Sequence, residues 1–445
     1  MKATAWLFLC LAIGTLGAAQ PAPAAEAATT AQLQAQQLQP NEPPQELKVT
    51  EYSLPPDKLA KAEALYKTRT MLYLFGTVFG IVVLGLLLKL RVAPAFRDLA
   101  ERVSQNSFLQ ALVFVPLLTL SIAIISLPID IYEQHTSRAY GLSVQGWLSW
   151  AGDWCKAEGV LLVILVPMVF GLFRVIRKSP QRWWFYFWLL TLPFLVLLIF
   201  VTPVILDPMF NTFEPLEKKQ PLLVSEIEKV TRRGGLSIPR DRMFEMEASE
   251  KVTTYNAYVT GIGVTKRVVV WDNTSRDLTV PETLFVFGHE MGHYVLNHVY
   301  KGLAFFSAMM LAGLWLGRRI VLALLARWGE AWHIRGINDL AALPVLMLAL
   351  SLLTLVSEPI GNTFSRYLEH QADIYGLEVT HGLFPNNGEV AASSLQKLGE
   401  KSYDYPTPNR VLVFWSYDHP SIPDRIRFCL HYDPWHMPKG PTYVK

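Results

Sequence analysis

Residues 183–206 have the sequence WWFYFWLLTLPFLVLLIFVTPVIL, which is 24 consecutive positions without a charged side chain. A helix of this length extends about 36 Å, which exceeds the ~30 Å hydrocarbon thickness of a bilayer. The stretch opens with Trp183, Trp184 and Tyr186, whose amphipathic rings favour the boundary between membrane and water. We therefore predict a transmembrane helix here.

Five further apolar stretches have a similar character. They cover residues 71–90, 108–128, 159–173, 302–317 and 340–357. Two of them, 159–173 and 302–317, are short enough to be buried core helices instead. However, 51% of the 445 residues are hydrophobic and only 17% are charged, against about 25% charged in an ordinary soluble domain. We therefore predict six spans in a mainly α, polytopic helical membrane protein.

The remaining composition excludes several other classes of protein. The formal net charge of +3 provides no basic field for nucleic acid, so we expect no nucleic-acid partner. The three cysteines lack CxxC spacing and are too few for a disulfide framework. The high apolar and aromatic content excludes a disordered chain or a coiled coil.

The N-terminal residues 1–19 have the order of a secretory signal peptide. Lys2 precedes a short apolar run, residues 5–16, and small residues follow at 17–19. The run is shorter than the ~20 residues of a membrane span, although an uncleaved N-terminal anchor is the alternative. Residues 20–47 are rich in Ala, Pro and Gln, which predicts a flexible linker.

The distribution of Lys and Arg predicts the orientation in the membrane. The connections between spans 1 and 2, 3 and 4, and 5 and 6 each carry four Lys or Arg, whereas the loop between spans 2 and 3 carries Arg138 and Lys156. Because basic connections stay in the cytoplasm, the polar segments 207–301 and 358–445 should face outward across the plasma or inner membrane. A signal peptide predicts the same orientation.

The first of these polar segments begins as an α/β unit. Leu223, Ile227 and Val230 follow one stripe of a helix over residues 222–233. Residues 242–248 alternate apolar and polar side chains, as a half-buried strand does. Residues 255–260 and 267–271 flank a Gly-containing turn and predict a β-hairpin.

A helix with a metal-binding signature follows. Thr279 and Glu282 form a predicted capping box, and the helix then carries the sequence HEMGH at residues 289–293. His289 and His293 are one turn apart on one face, so both imidazoles can bind one Zn²⁺. Glu290 can reach a water at the metal without being a ligand. The alternative is a helix with two ordinary histidines.

A second helix supplies acidic residues after the last span. Asn362, Arg366, Glu369 and Asp373 are spaced 4, 3 and 4 residues apart and share one helix stripe. A catalytic zinc commonly takes two histidines and a carboxylate, so Glu369 is the predicted third ligand. Asp373, one turn on, is predicted to hydrogen-bond a ligand histidine. A solvated charged face is the alternative for this helix, but together the two helices predict one zinc ion per chain.

The other histidines have weaker signals. His298 is nine positions after His289, about half a turn around a continuous helix, so we predict that it faces away from the metal. His370 should point elsewhere than its neighbour Glu369. His419 either donates a hydrogen bond to the oxyanion of the reaction intermediate or stabilises a turn, and Arg366 is the other candidate for the oxyanion.

At these residues the chain resembles the type I CAAX prenyl endopeptidases, over about residues 45–430. Four motifs carry the resemblance: HEMGH followed by Asn297-His298; Asn256-Ala257-Tyr258 ahead of Lys266-Arg267-Val268-Val269; Asn362 to Arg366 leading to Glu369, Ala372 and Asp373; and His419-Pro420 with a later Arg425. The resemblance implies a barrel of membrane helices around a water-filled chamber, with a zincin-like α+β metalloprotease domain. It also implies His289, His293 and Glu369 as zinc ligands, Glu290 as base and Asp373 as the residue that orients a histidine. Residues near Asn256, Ala257 and Tyr258 would form the edge strand that binds the substrate backbone.

The expected organisation is therefore a signal peptide and linker, a four-span membrane domain, an interrupted metallopeptidase domain and a short tail. These cover residues 1–19, 20–47, 48–206, 207–430 (interrupted by spans at about 302–317 and 340–357) and 431–445. The family's better-known members present zinc to the cytosol and begin with a true span, and the outward orientation and signal peptide predicted for this chain would depart from both features.

We therefore predict an endopeptidase that acts on exported, membrane-associated or CAAX-type peptide or protein substrates and contacts membrane lipid. The alternatives are a catalytically degenerate membrane scaffold and a zinc-linked transporter. The intact Glu290 and the full set of ligands disfavour the scaffold. The nearly charge-free spans disfavour the transporter, because transporters keep ionisable residues near the midplane.

Overall fold

The computed structural model describes residues 48–261 and 265–444. The predicted signal peptide, the predicted linker and most of the hairpin turn lie outside the described residues. Within the described ranges, six helices are long and apolar enough to cross a membrane, which confirms the predicted number.

The first half of the described chain consists of membrane helices. In chain order its helices are α1 (Pro56–Lys89), α2 (Val92–Val103), α3 (Ser107–Ala139), α4 (Trp147–Lys178), α5 (Trp183–Val201) and, after a π-helical turn at Thr202–Leu206, α6 (Asp207–Phe210). Several extend well beyond the apolar stretches. Helix α1 begins 15 residues before Met71, and its polar first turns contact the second half, where Lys58 Nζ lies 2.5 Å from Glu400 Oε1.

The second half combines a small sheet with helices. Its elements in chain order are β1 (Phe213–Pro215), α7 (Leu216–Lys219), α8 (Pro221–Arg233), β2 (Met243–Met246), β3 (Ala257–Thr260), β4 (Arg267–Trp271), α9 (Asp272–Asp277), α10 (Val280–Val295), α11 (His298–Trp328), α12 (Leu343–Thr380), α13 (Asn387–Ser402), α14 (Arg410–Ser416) and α15 (Ile422–His431). Helices α11 and α12 contain the fifth and sixth spans. The predicted helix over 222–233, strand over 242–248 and β3–β4 hairpin are therefore confirmed.

The four strands form one mixed sheet in the order β1-β2-β4-β3. Strand β4 pairs in parallel with β2 and antiparallel with β3, which leaves β3 at an edge of the sheet. Strand β4 is buried on both faces: Val268 and Val270 pack toward α10, and Val269 and Trp271 pack on the other side. This burial explains why β4 is a continuous apolar run rather than an alternating one.

Helices α10 and α12 approach unusually closely because small residues line their contact. A Cβ atom on Gly288 would lie 3.3 Å from the Cα of Gly376, and one on Gly292 would lie 3.1 Å from the Cβ of Tyr375. A Cβ atom at either position would therefore make unusually tight contacts, and α12 would have to shift slightly to accept it. This contact brings the HEMGH helix and the acidic stripe of α12 side by side.

Two of the basic connections meet at the end of the molecule that contains α2. Arg97 Nη1 lies 2.5 Å from Asp339 Oδ2, and both side chains are buried. Arg335 Nη1 lies 2.6 Å from Glu101 Oε1. The connection between spans 1 and 2 therefore contacts the connection between spans 5 and 6, as the predicted span order requires.

Candidate active site

The helix that carries the metal signature has a firmly fixed start. The capping box of α10 forms as predicted: the Thr279 amide donates to Glu282 Oε2 at 2.8 Å, and the Glu282 amide donates to Thr279 Oγ1 at 3.3 Å. The Glu282 side chain is fully buried and also accepts from Ser393 Oγ and Lys397 Nζ of α13. The capping glutamate therefore fixes both the start of α10 and its rotation against α13.

Three potential ligand atoms converge between α10 and α12. His289 Nε2 lies 3.2 Å from His293 Nε2 and 3.2 Å from Glu369 Oε2, and His293 Nε2 lies 3.4 Å from Glu369 Oε1. Tetrahedral zinc with bonds of ~2.0–2.1 Å separates its ligand atoms by roughly 3.3–3.4 Å. The buried Glu369 Oε2 also accepts no hydrogen bond within the part of the chain that the structure describes. The three side chains therefore fit a single metal ion.

His289 is oriented from behind by a buried ion pair. Its Nδ1 lies 2.8 Å from Asp373 Oδ1, and the Arg425 guanidinium binds the same carboxylate at 2.6 and 3.0 Å. Burial lowers the pKa of His289, but the hydrogen bond to Asp373 and the neighbouring carboxylate of Glu369 outweigh it and raise the pKa to about 10. The pocket therefore stabilises positive charge at this position. Arg425 belongs to the fourth motif of the sequence, in which no role was predicted for it.

The prediction that His298 faces away is wrong. Helix α10 ends at Val295, Asn297 adopts the left-handed conformation with φ +58°, and α11 begins at His298. The helical periodicity that relates residues to His289 therefore ends before Asn297, and it does not determine the direction of His298. The His298 ring is buried, and its Nδ1 lies 3.1 Å from His293 Nδ1.

Glu290 and His419 complete the surroundings of the cluster. Burial raises the pKa of Glu290, which is half-buried and interacts electrostatically with both histidines of the cluster. His419 Nε2 lies 3.2 Å from Glu369 Oε2, and its Nδ1 lies 2.9 Å from Asp418 Oδ1. Burial opposes protonation of His419, but the charge of Glu369 raises its pKa to about 9. Since half of the His419 side chain is exposed, it can also contact a substrate.

Arg366 does not join the cluster. Its guanidinium donates to the carbonyl oxygens of Val413 and Tyr417, while Asn362 Nδ2 donates to the carbonyl oxygen of Trp415. The first two residues of the predicted stripe therefore hold α14, and only the last two reach the cluster. His370 points elsewhere, as predicted, with its ring centre 4.4 Å from that of Phe428.

The predicted substrate strand lies beside the HEMGH helix. Ala257 is fully buried against the core shared with α10, and Tyr258 packs on the opposite face of the sheet. The carbonyl oxygen of Asn256 accepts a hydrogen bond from the Trp271 amide, so the pairing with β4 starts one residue before β3. Among the strands of the described residues, β3 has β4 as its single neighbour, so its other edge faces away from the sheet.

Comparisons with known proteins agree with this geometry. Residues 32–212 match the family model described as the CAAX prenyl protease N-terminal region with five membrane helices, and residues 217–432 match peptidase family M48. The described residues contain four apolar spans of the first region.

Relatives match along most of the chain. An uncharacterized metalloprotease of Bacillus subtilis, YhfN, is 36% identical over 84% of this chain and 85% of its own length. The human CAAX prenyl protease 1 homolog is 24% identical over 80% of each chain. The crystal structure of S. mikatae Ste24p has the same fold, with a TM-score of 0.74 over 96% of this chain and 99% of that chain at 20% identity. The chain therefore belongs to peptidase family M48, the CAAX prenyl protease group of integral-membrane metalloendopeptidases.

Proposed function

We propose that this protein is a zinc-dependent endopeptidase in which His289, His293 and Glu369 hold the metal. The observation that carries the proposal is the ligand triangle, the close approach of these three side chains. His289 Nε2 lies 3.2 Å from both His293 Nε2 and Glu369 Oε2, and His293 Nε2 lies 3.4 Å from Glu369 Oε1. Zinc bound there would polarise the scissile carbonyl and lower the pKa of a water toward ~7. The remaining chemistry belongs to the side chains around it.

Glu290 acts as the base in this proposal. It follows His289 in the chain but is not part of the ligand triangle, so its carboxylate is available to a water. The raised pKa of Glu290 favours holding the proton that it takes from the water and then passing it to the leaving amine. Asp373 fixes the His289 ring through Nδ1, which leaves the Nε2 lone pair directed at the metal.

His419 is the proposed donor to the oxyanion. Protonated His419 has a hydrogen at Nε2, and this atom lies 3.2 Å from the carboxylate of the third ligand. This donor would therefore be placed to stabilise negative charge on the carbonyl oxygen of a peptide bound beside Glu369. Arg366 is not proposed for this role, because its donors are occupied by backbone carbonyl oxygens.

The substrate would bind as an added strand on β3. The open edge of β3 lies next to α10, and an extended peptide there would gain backbone hydrogen bonds. Backbone pairing holds a peptide without reading its side chains, so Asn256, Ala257 and Tyr258 would position many sequences. This arrangement suits an endopeptidase of broad sequence preference.

We further propose that the site faces outward and that exported or membrane-associated proteins are the substrates. The basic connections between spans 1 and 2 and between spans 5 and 6 meet at the α2 end, and such loops are retained in the cytoplasm. The relatives named CAAX prenyl proteases raise a prenylated C-terminal peptide as a second substrate class. A C-terminal tag that is protected from added protease in intact cells would contradict the outward orientation.

The test of the activity uses the purified full chain in detergent. We expect the wild-type protein to contain about one zinc per chain and to cleave an unstructured reporter protein. Its cleavage of a prenylated peptide is measured separately for comparison. Glu290→Ala should retain the zinc and lose cleavage by at least 100-fold. The exposed Glu250→Gln is the matched carboxylate control and should behave as wild type. Equal cleavage by Glu290→Ala and wild type would leave a scaffold or transporter as the better explanation.

If Glu290→Ala is inactive, the same variant becomes a trap. Expressed in cells, it should retain substrates that can be identified by mass spectrometry. Trapped exported or membrane proteins would support the proposed class. Trapped prenylated cytosolic proteins would contradict it.

A further inference from the structure

His293 has a buried partner on the side away from the ligand triangle. Its Nδ1 lies 3.1 Å from His298 Nδ1, and His298 Nε2 lies 3.2 Å from Gln371 Oε1. The amide nitrogen of Gln371 then donates to the hydroxyl of Tyr367 at 3.1 Å. We propose that His298 and Gln371 are positioning residues that fix the ring and tautomer of His293 for metal binding. This inference rests on the proposed metal site.

The hydrogen positions along this chain of side chains follow from the amide. Gln371 Oε1 faces His298 and can only accept, so His298 must carry its hydrogen on Nε2. Neutral His298 then has a lone pair on Nδ1, which accepts the hydrogen on His293 Nδ1. His293 is left with a lone pair on Nε2, the atom that points at His289 and Glu369.

The opposite orientation of the amide would disable the ligand. The amide nitrogen would then donate to His298 Nε2, and His298 would donate from Nδ1 to His293. The hydrogen of His293 would move to Nε2, where it would occupy the lone pair that a metal requires. In the structure the Gln371 amide nitrogen donates to the Tyr367 hydroxyl, Tyr443 also hydrogen-bonds to this side chain, and the amide oxygen is the atom that lies 3.2 Å from His298 Nε2.

Burial makes this relay effective. His298 is 3% exposed, so water cannot easily replace its contact with His293. Gln371 lies on α12 between Glu369 and Asp373, the proposed third ligand and the partner of His289. One helix therefore orients both ligand histidines. His289 receives a carboxylate partner, whereas His293 receives a neutral relay that adds no charge to the site.

The experiment measures metal affinity with Zn²⁺ and Co²⁺ alone, by competition with a chromophoric chelator, on the full chain in detergent. Loss of a hydrogen-bond partner of a ligand typically weakens metal binding by about 10–100-fold. We expect this loss for His298→Leu, and for Gln371→Leu at the half-buried end of the relay. His298→Asn should recover most of the affinity, because its amide oxygen can accept from His293 Nδ1.

Gln371→Glu provides the sharpest contrast. Its carboxylate can only accept, so it enforces the same tautomer and should keep wild-type affinity and the wild-type Co²⁺ absorption spectrum. His370→Leu is the matched control, since it neighbours Glu369 but contacts Phe428 instead, and it should change neither. A structural role alone would make Gln371→Glu and Gln371→Leu equally harmful.

The outcomes separate this inference from the proposed function. Wild-type affinity in both His298→Leu and Gln371→Leu, with an active wild-type enzyme, would overturn the relay and leave the proposed function standing. A wild-type chain that binds no metal would overturn the proposed function and the relay with it. Should His298→Leu fail to fold, the Gln371 pair decides the matter.

Discussion

The ion pair behind His289 allows a test in which stability and metal binding are measured together. The perturbation is Arg425→Met, which keeps most of the side-chain volume and removes the guanidinium. Arg425 contacts Asp373 through two hydrogen bonds, and the two side chains are 10% and 1% exposed. Asp373 would then keep its charge in a buried site without its cation.

The magnitude follows from what remains around the carboxylate. Removing one partner of a buried ion pair costs about 3–5 kcal/mol, mostly because the other charge stays buried. His289 Nδ1 still lies 2.8 Å from Asp373 Oδ1, so one oxygen keeps a donor. We therefore expect a loss near the lower end, about 3 kcal/mol of unfolding free energy. The double variant with Asp373→Asn should recover ~1 kcal/mol or more, because the uncompensated charge is gone.

The assay is denaturant unfolding in detergent micelles, followed by the fluorescence of the tryptophans, with zinc content measured on the same samples. Arg427→Met is the matched control, since Arg427 is two positions on and pairs with Asp424 at the surface. It should change the unfolding free energy by less than about 0.5 kcal/mol. If Arg425→Met is equally mild, or if the double variant equals the sum of the single variants, the buried pair is not coupled as we argue.

Three further changes test local features of the fold. Asn297→Val should cost about 1–2 kcal/mol and weaken metal binding, because φ is +58° and His298 follows it, whereas Asn297→Gly should be nearly neutral in unfolding assays. Glu378→Ala should lower the free energy of unfolding by ~1–3 kcal/mol, since the buried carboxylate of Glu378 accepts hydrogen bonds from the backbone amides of residues 442–444. Carboxypeptidase should then digest the C-terminal segment faster, and unchanged digestion would contradict this. Gly292→Ala should separate α10 from α12 and lower zinc content, whereas Gly313→Ala, which meets nothing within 4 Å, should not.

Structural features that depend on residues close together in the chain were predicted correctly. The six apolar stretches, the capping box of Thr279 and Glu282, and the β3–β4 hairpin each follow from spacing or from residues a few positions apart. The spans were predicted too short, because α1 and the others continue as polar helices beyond the membrane. Hydropathy identifies the apolar part of a helix that can contact lipid, but it does not identify the residue at which the helix ends.

Predictions that assumed a continuous helix were wrong where the chain turns or where another segment packs over the helix. The predicted orientation of His298 was wrong because the left-handed conformation of Asn297 interrupts the helix between His289 and His298. Arg366 shares the periodicity of Glu369, yet α14 packs over it and occupies its donors. A stripe on one helix specifies the side of the helix on which its side chains lie. The segment that packs over each part of the stripe comes from distant sequence.

The local sequence alone therefore specifies the membrane class, the HEMGH helix and the chemical types of the proposed ligands, because these depend on composition and on contacts within one helix. The assembled fold specifies which charges and hydrogen bonds surround those ligands. Arg425 and Gln371, to which the sequence assigns no role, contact His289 and His298 from 136 and 73 positions away, at 3.3 and 3.2 Å. Gly288, Gly292 and Gly376 let α10 and α12 meet, and α11 and α15 pack against α12 to bring His298 and Arg425 to the site. No spacing within a single helix contains that information.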